Sequence, residues 1–210
     1  TARLWDLRTF KSVRRMAAFD GEAVNSVAFS ADGSSLFSAS ECSILAFDLR
    51  RPEVLLNEVA YGVSDSADEI NQITVSPDGS QLAAADDSGA AHVYKVGSGS
   101  GFEPLLSFEA HTNLCTALCY LPDNSLVTGG LDAAVCMLDT IAAAKTGGVV
   151  FKPKAQTGGQ VTNPPLVHGL AASPDRPLVA AALGDGNVAV LEVKGTEMML
   201  WAMLEDGHTA

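Results

Sequence analysis

Four histidines and four cysteines are the side chains of this 210-residue sequence best suited to nucleophilic or metal chemistry. Their spacing supports neither. Cys42, Cys115, Cys119 and Cys136 include no Cys-x-x-Cys pair, and no His or Cys pair has zinc-ligand spacing. On one strand face Cys115 and Cys119 would stand about 13 Å apart at ~3.3 Å per residue, beyond the ~7 Å Cα separation that a disulfide spans. All four are expected as reduced thiols, which fits an intracellular compartment, cytoplasmic or nuclear. A Ser or Cys nucleophile needs a histidine and an acid converging on it, and no nucleophile-elbow pattern occurs. Asp86-Asp87 lacks the rest of a calcium loop, and no glycine-rich phosphate cradle is present. No metal, no cofactor and no enzymatic activity are expected. His92 reads as a replaceable mid-strand residue and His168 as part of another strand.

The elements that carry these residues must be short. A hydrophobic fraction of 47% supplies a sizeable core, while 19 Gly and 9 Pro against 6% aromatics favour many strands joined by tight turns. No apolar run approaches the roughly 20 residues of a membrane helix, and no membrane partner is expected. The net charge of −12 argues against direct nucleic-acid binding, which begins with basic neutralisation of phosphates. That charge is uneven: residues 1–51 sum to +1 and the remaining 159 to −13.

An internal repeat organises the chain. Alternating apolar residues precede a turn four times: Val24, Val27 and Phe29 before Ser30-Ala31-Asp32-Gly33; Ile70, Ile73 and Val75 before Ser76-Pro77-Asp78-Gly79; Leu118 and Tyr120 before Leu121-Pro122-Asp123-Asn124; and Leu170 and Ala172 before Ser173-Pro174-Asp175-Arg176. After each turn runs a second segment of small and apolar residues, such as Leu82-Ala83-Ala84-Ala85. A third strand follows (Ile44 to Asp48, His92 to Val96, Val135 to Asp139, Val188 to Val193). A fourth lies at Val54 to Val59, Pro104 to Phe108, weakly near Val149 to Phe151, and Met198 to Leu204. Four strands recurring about every 45 residues is the period of a propeller blade, which buries its faces only against neighbouring blades.

Trp5-Asp6, Phe47-Asp48 and Leu138-Asp139 closing third strands, His111 and Gly207-His208 opening units, and Asp132 or Asp185-Gly186 in tight turns resemble the WD40 repeat pattern. The resemblance implies an all-β WD40 β-propeller, an incomplete arc of a seven-bladed ring. Its parts would be a partial blade at 1–22, blades at about 23–60, 69–108, 111–152 and 166–204, and the start of a further repeat at 207–210. A closed four-bladed ring is the competing arrangement. In the family, a His before the first strand, a Ser or Thr in the second, an Asp in the tight turn and a Trp in the third form a buried tetrad. Here His111, Thr128 and Asp132 fit it, with Leu138 in the place of Trp. Both end blades of an arc would expose apolar faces, so the isolated chain is expected to self-associate.

Between blades, residues 140–165 read as a long loop carrying Lys145, Lys152 and Lys154. Gly97-Ser98-Gly99-Ser100-Gly101 reads as a flexible connector, and Asp65 to Glu69 as a solvated acidic turn. Trp5-Asp6-Leu7-Arg8 and Phe47-Asp48-Leu49-Arg50 place an arginine two residues after each aromatic-Asp pair. In the WD40 family this element is a docking signature for the damaged-DNA-binding adaptor of cullin-RING ubiquitin ligases. The resemblance therefore implies a protein-interaction scaffold, a ligase substrate receptor, with Trp5, Asp6, Arg8, Phe47, Asp48 and Arg50 as docking candidates. A guanidinium on a fixed turn can give a bidentate pair to an acidic pocket. An arginine satisfied within its own blade is the alternative, and the second copy carries a shortened Glu41-Cys42-Ser43 turn. An assembly platform without a ligase link, in chromatin or signalling complexes, is the runner-up. A propeller hydrolase or lyase is the remote third, since the inner strands carry no acid-base cluster.

Overall fold

The computed structural model describes residues 2–16, 22–50, 55–60, 68–97, 102–153 and 163–205. Gly207-His208, Lys154, residues 98–101 of the glycine-serine connector and residues 65–67 of the acidic turn lie outside them. The described residues form strands and no helix. A two-stranded sheet joins β1 (Ala2–Asp6) and β2 (Lys11–Met16). Four antiparallel four-stranded meanders follow: β3 (Ser26–Phe29), β4 (Ser35–Ser40), β5 (Ser43–Asp48), β6 (Leu55–Ala60); β7 (Ile70–Val75), β8 (Gln81–Asp86), β9 (Ala90–Val96), β10 (Phe102–Glu109); β11 (Cys115–Tyr120), β12 (Leu126–Gly130), β13 (Ala134–Asp139), β14 (Ala144–Val150); β15 (Val167–Ala172), β16 (Leu178–Leu183), β17 (Val188–Lys194), β18 (Glu197–Leu204).

The recurrent turn between first and second strands has a local cause. Asp32 Oδ1 accepts the Ser34 N–H (3.0 Å) and the Ser30 hydroxyl (2.6 Å), and Ser30 Oγ accepts the Ser35 N–H (2.9 Å). Ser76, Asp78 and Ser80 repeat the arrangement. The chain then reverses through a left-handed residue, Gly33 (φ 68°) or Gly79 (φ 72°), and Asn124 (φ 65°) takes that place in the third unit.

The second strands β4, β8 and β12 are buried on both faces, which is why they read as unbroken small-apolar runs, whereas β16 at the end of the arc buries Val179, Ala181 and Leu183 and leaves Ala182 exposed. Leu82 and Ala84 pack back onto Phe37, Ala39, Ile44 and Ala46. Ala83 and Ala85 pack forward onto Cys115, Leu118, Leu126 and Leu138. Val127 continues the series onto Val167, Val179 and Ala181, and Leu36 packs back onto Ala2 and Met16. The inner strands β3, β7, β11 and β15 touch in succession. The result is an open arc of propeller blades.

Inner-strand polar residues tie the blades together. The Asn25 side chain donates to the Ile70 carbonyl (3.0 Å), Asn71 to the Cys115 carbonyl (3.0 Å), and Thr116 Oγ1 to the Val167 carbonyl (2.6 Å). One residue further, Ser26 Oγ accepts the Ile73 N–H and Gln72 Oε1 the Leu118 N–H. Each tie satisfies a backbone group at a sheet edge that the meander leaves unpaired.

One expectation changes. The fourth strand expected near Val149 to Phe151 begins at Ala144, so part of the span read as a loop is β14. Its Gly147-Gly148 concealed it, yet a Cβ on Gly148 would meet the Val135 carbonyl oxygen at 2.7 Å, a closeness that only glycine allows. Val27 and Phe29, which alternate along β3, are half exposed: β1 and β2 pack on Leu36, Leu45 and Phe47, and neither β3 residue joins that cluster.

Candidate functional site

The two aromatic-Asp-x-Arg elements occupy the turns that leave β1 and β5, the third strands of adjacent blades, and so lie on one rim. In both, the carboxylate folds the turn. Asp6 Oδ1 accepts the Arg8 N–H at 2.8 Å, and Asp48 Oδ1 accepts the Arg50 N–H at 2.8 Å. The Arg8 N–H bond is the foremost cause that holds the Asp6 carboxyl below its ordinary pKa.

The arginines differ in how they are held. Arg50 forks onto its carboxylate, Nε to Oδ1 at 2.9 Å and Nη2 to Oδ2 at 3.0 Å, and remains 75% exposed. Hydrogen bonding and charge from Asp48, with a contribution from Asp32, push its pKa up. Arg8 meets Asp6 only at 3.5 Å and is 92% exposed. The aromatic residues differ too. Trp5 is half exposed, whereas Phe47 is buried against Ala2, Met16 and Leu45 and cannot present a contact surface. Phe47 and the buried Asp48 therefore position Arg50. A further positioning residue escaped the sequence reading: Arg14 of β2 donates from Nη1 to the Leu49 carbonyl (3.1 Å), so the first blade holds the turn that carries Arg50. The shortened Glu41-Cys42 segment is a two-residue hairpin turn, with Glu41 at φ 45° and Ser40 paired to Ser43.

The histidine network lies in the third full blade. His111 Nδ1 is 2.9 Å from Asp132 Oδ1, and Nε2 is 2.8 Å from Thr128 Oγ1. Burial lowers the His111 pKa against the opposing pull of Asp132. The neutral ring then carries its proton on Nδ1, donates it to Asp132 and accepts the Thr128 hydroxyl on Nε2. Asp132 also accepts the Thr112 and Ala134 N–H groups; burial alone would raise its pKa, but the Thr112 bond, the His111 bond and charge, and the Ala134 bond together hold it below the ordinary value. Leu138, fully buried, fills the tryptophan place with apolar packing.

His92 departs from the expectation of a replaceable residue. Its Nε2 lies 3.3 Å from Asp86 Oδ2, and its side chain is largely buried. Asp86 Oδ1 accepts the Ser88 and Ala90 N–H groups and the Ser88 hydroxyl. A histidine-carboxylate pair thus stabilises the tight turn of this blade with residues at other positions than in the next, and pattern matching on the tetrad places passed over it.

None of the four cysteines is joined in a disulfide. Burial pushes Cys119 up to about 12 and raises Cys115 and Cys136, so none of these three is a thiolate nucleophile at neutral pH. Lys145, read as an accessible loop cation, spends its ammonium on the Ala110 carbonyl (2.9 Å). Among the described residues no three His, Cys, Asp or Glu side chains gather as a metal site.

The model of the WD domain, G-beta repeat, matches residues 11–48 and 102–139. Both matches run from the fourth strand of one blade through three strands of the next, β2 to β5 and β10 to β13. The WD repeat-containing protein 53 homolog of Dictyostelium discoideum is 31% identical over 95% of this chain, and the chain spans 58% of that protein's length. Periodic tryptophan protein 2 of Arabidopsis thaliana is 40% identical over 44% of the chain and 9% of its own length. Among solved structures, the Mitotic Checkpoint Complex contains a chain that superposes with TM-score 0.78 at 18% identity, covering 98% of this chain and 60% of that one. The RRP9 WD40 repeats superpose with TM-score 0.69 at 20% identity, over 86% of this chain and 51% of that one.

Proposed function

Because this chain belongs to the WD40 repeat family, we propose that it is a non-enzymatic interaction scaffold that works as the substrate-receptor subunit of a cullin-RING ubiquitin ligase. It meets the ligase's damaged-DNA-binding adaptor through Arg8 and Arg50. One observation carries this reading: two guanidinium groups stand largely exposed in matching turns of adjacent blades, each turn fixed by the preceding aspartate. They lie in the part of the chain that is not acidic, so the local field draws a carboxylate-bearing surface there while the rest of the molecule repels it. The buried His111 and Asp86 clusters serve the fold.

A second reading, an assembly platform with no ligase link, draws support from the fork of Arg50 onto Asp48, which satisfies that arginine inside its own blade. Affinity purification of the protein followed by mass spectrometry separates the two. Recovery of the adaptor and its cullin supports the receptor, and recovery of other proteins in their absence supports the platform.

A further inference from the structure

The turn that carries Arg8 holds a feature that its counterparts after β13 and β17 lack. Between β1 and β2 the chain turns through Leu7-Arg8-Thr9-Phe10, and Phe10 closes the turn at φ 52°. A bulky side chain in the left-handed region is a strained choice. In those two turns the same need is met by small residues. Ala143 (φ 53°) closes the turn after β13, and Gly195 (φ 62°) serves in the turn after β17 with open space around it. The strain brings Phe10 no packing, because it is 81% exposed; Leu7 is 80% exposed and Trp5 is half exposed. Two large exposed apolar side chains, Leu7 and Phe10, thus share a turn with an arginine held only at 3.5 Å by its own carboxylate.

A strained conformation that carries an unpacked aromatic does nothing for the isolated fold. It suits a contact made outside the fold, since exposed aromatics beside arginine are the groups that anchor protein interfaces when they enter a desolvated pocket. We infer that Phe10 and Leu7 form an apolar anchor beside Arg8, fitted to a partner surface that offers a hydrophobic pocket edged by carboxylates. This rests on the docking reading above and adds to it the anchor and the shape of the receiving surface. The partner's pocket takes the phenyl ring and its edge takes the guanidinium, so the contact joins burial to a charge-assisted hydrogen bond.

The test uses Phe10→Asn, which removes the ring and places at φ 52° a residue that tolerates it, together with Phe10→Leu, which keeps both strain and apolar bulk. Binding to the purified adaptor and thermal melting are measured for both, beside Arg8→Glu/Arg50→Gln. Phe10→Asn is expected to raise the melting temperature by a few degrees yet weaken binding at least tenfold, whereas Phe10→Leu keeps most of the affinity. Improved stability with lost binding is an outcome that a merely structural phenylalanine cannot give. A fall in melting temperature for Phe10→Asn would show that the ring supports the fold and would overturn the anchor. So would unchanged binding of Phe10→Asn alongside loss in the arginine variant, which leaves the docking reading standing. A wild-type protein that does not bind the adaptor removes both.

Discussion

His92 Nε2 lies 3.3 Å from Asp86 Oδ2, a carboxylate whose side chain is 2% exposed. In the next blade the equivalent turn is held by His111 on Asp132, from a different strand position and a different direction. Removing either histidine takes a partner from a buried or half-buried carboxylate. His92→Ala and His111→Ala should each cost about 1–3 kcal/mol of unfolding free energy in urea titrations. A silent His92→Ala would show that the pair does not contribute.

Stability should fall in two stages as pH decreases. His111 has its pKa lowered from 6.5 by burial, so below about pH 6.5 the unfolded chain takes up a proton that the folded chain refuses. This contribution is complete above the unfolded value and is lost as pH falls toward the folded one. The second stage starts near 3.8. Hydrogen bonds from Ser30 and Ser34 hold Asp32 at about 2, the Ser76 and Ser80 bonds lower Asp78, and Asp132 is also lowered. Their contribution is present above 3.8 and disappears as they protonate. Denaturation midpoints followed from pH 8 to pH 2 check both stages, and His111→Asn should abolish the first and weaken the Asp132 share of the second.

The repeat was legible in the sequence because the units spend similar residues on the same local problem: a turn with an aspartate at its third position, then a run of small and apolar residues. The start of strand β14 at Ala144 was not, since an edge strand with Gly147-Gly148 carries no alternation there. The exposure of Val27 and Phe29 was equally hidden, because apolar alternation marks a face without naming what covers it. The docking arginines could be found by spacing; the difference between exposed Trp5 and buried Phe47, and the reach of Arg14 to the Leu49 carbonyl, depend on how adjacent blades meet. The Asn25 and Asn71 ties look in sequence like ordinary polar residues at strand starts.

Those asparagines give a further prediction. Each spans from one inner strand to the backbone of the next and also meets an acid, Glu69 at 2.8 Å for Asn25 and Asp87 at 2.9 Å for Asn71. Asn25→Ala and Asn71→Ala should each cost about 0.5–1.5 kcal/mol. Because they tie different blade pairs, the double variant should lose nearly the sum in equilibrium unfolding. A double variant as stable as the wild type would deny the ties any role.

The apolar side chains at the two ends of the arc should drive association. Trp5, Val13, Val27 and Phe29 are exposed at one end, and Met199, Leu200, Trp201 and Leu204 at the other. Sedimentation velocity of the 210-residue chain should show mass rising with concentration, and Phe29→Ser with Trp201→Ser should reduce it. A monomer across the whole range would contradict this.

The docking account is tested most directly by the affinity of the purified adaptor for Arg8→Glu/Arg50→Gln. Glutamine serves at position 50 because a glutamate there would face Asp48 and Asp32 and disturb the turn itself. Loss of a buried charge pair of about 2–5 kcal/mol predicts binding weakened by about thirtyfold or more, while the melting temperature falls only as far as in Arg50→Gln alone, which loses the same fork onto Asp48. Lysine at both positions should restore only part of the affinity, since an ammonium lacks the bidentate fork. Undiminished binding by the folded variant would contradict the account.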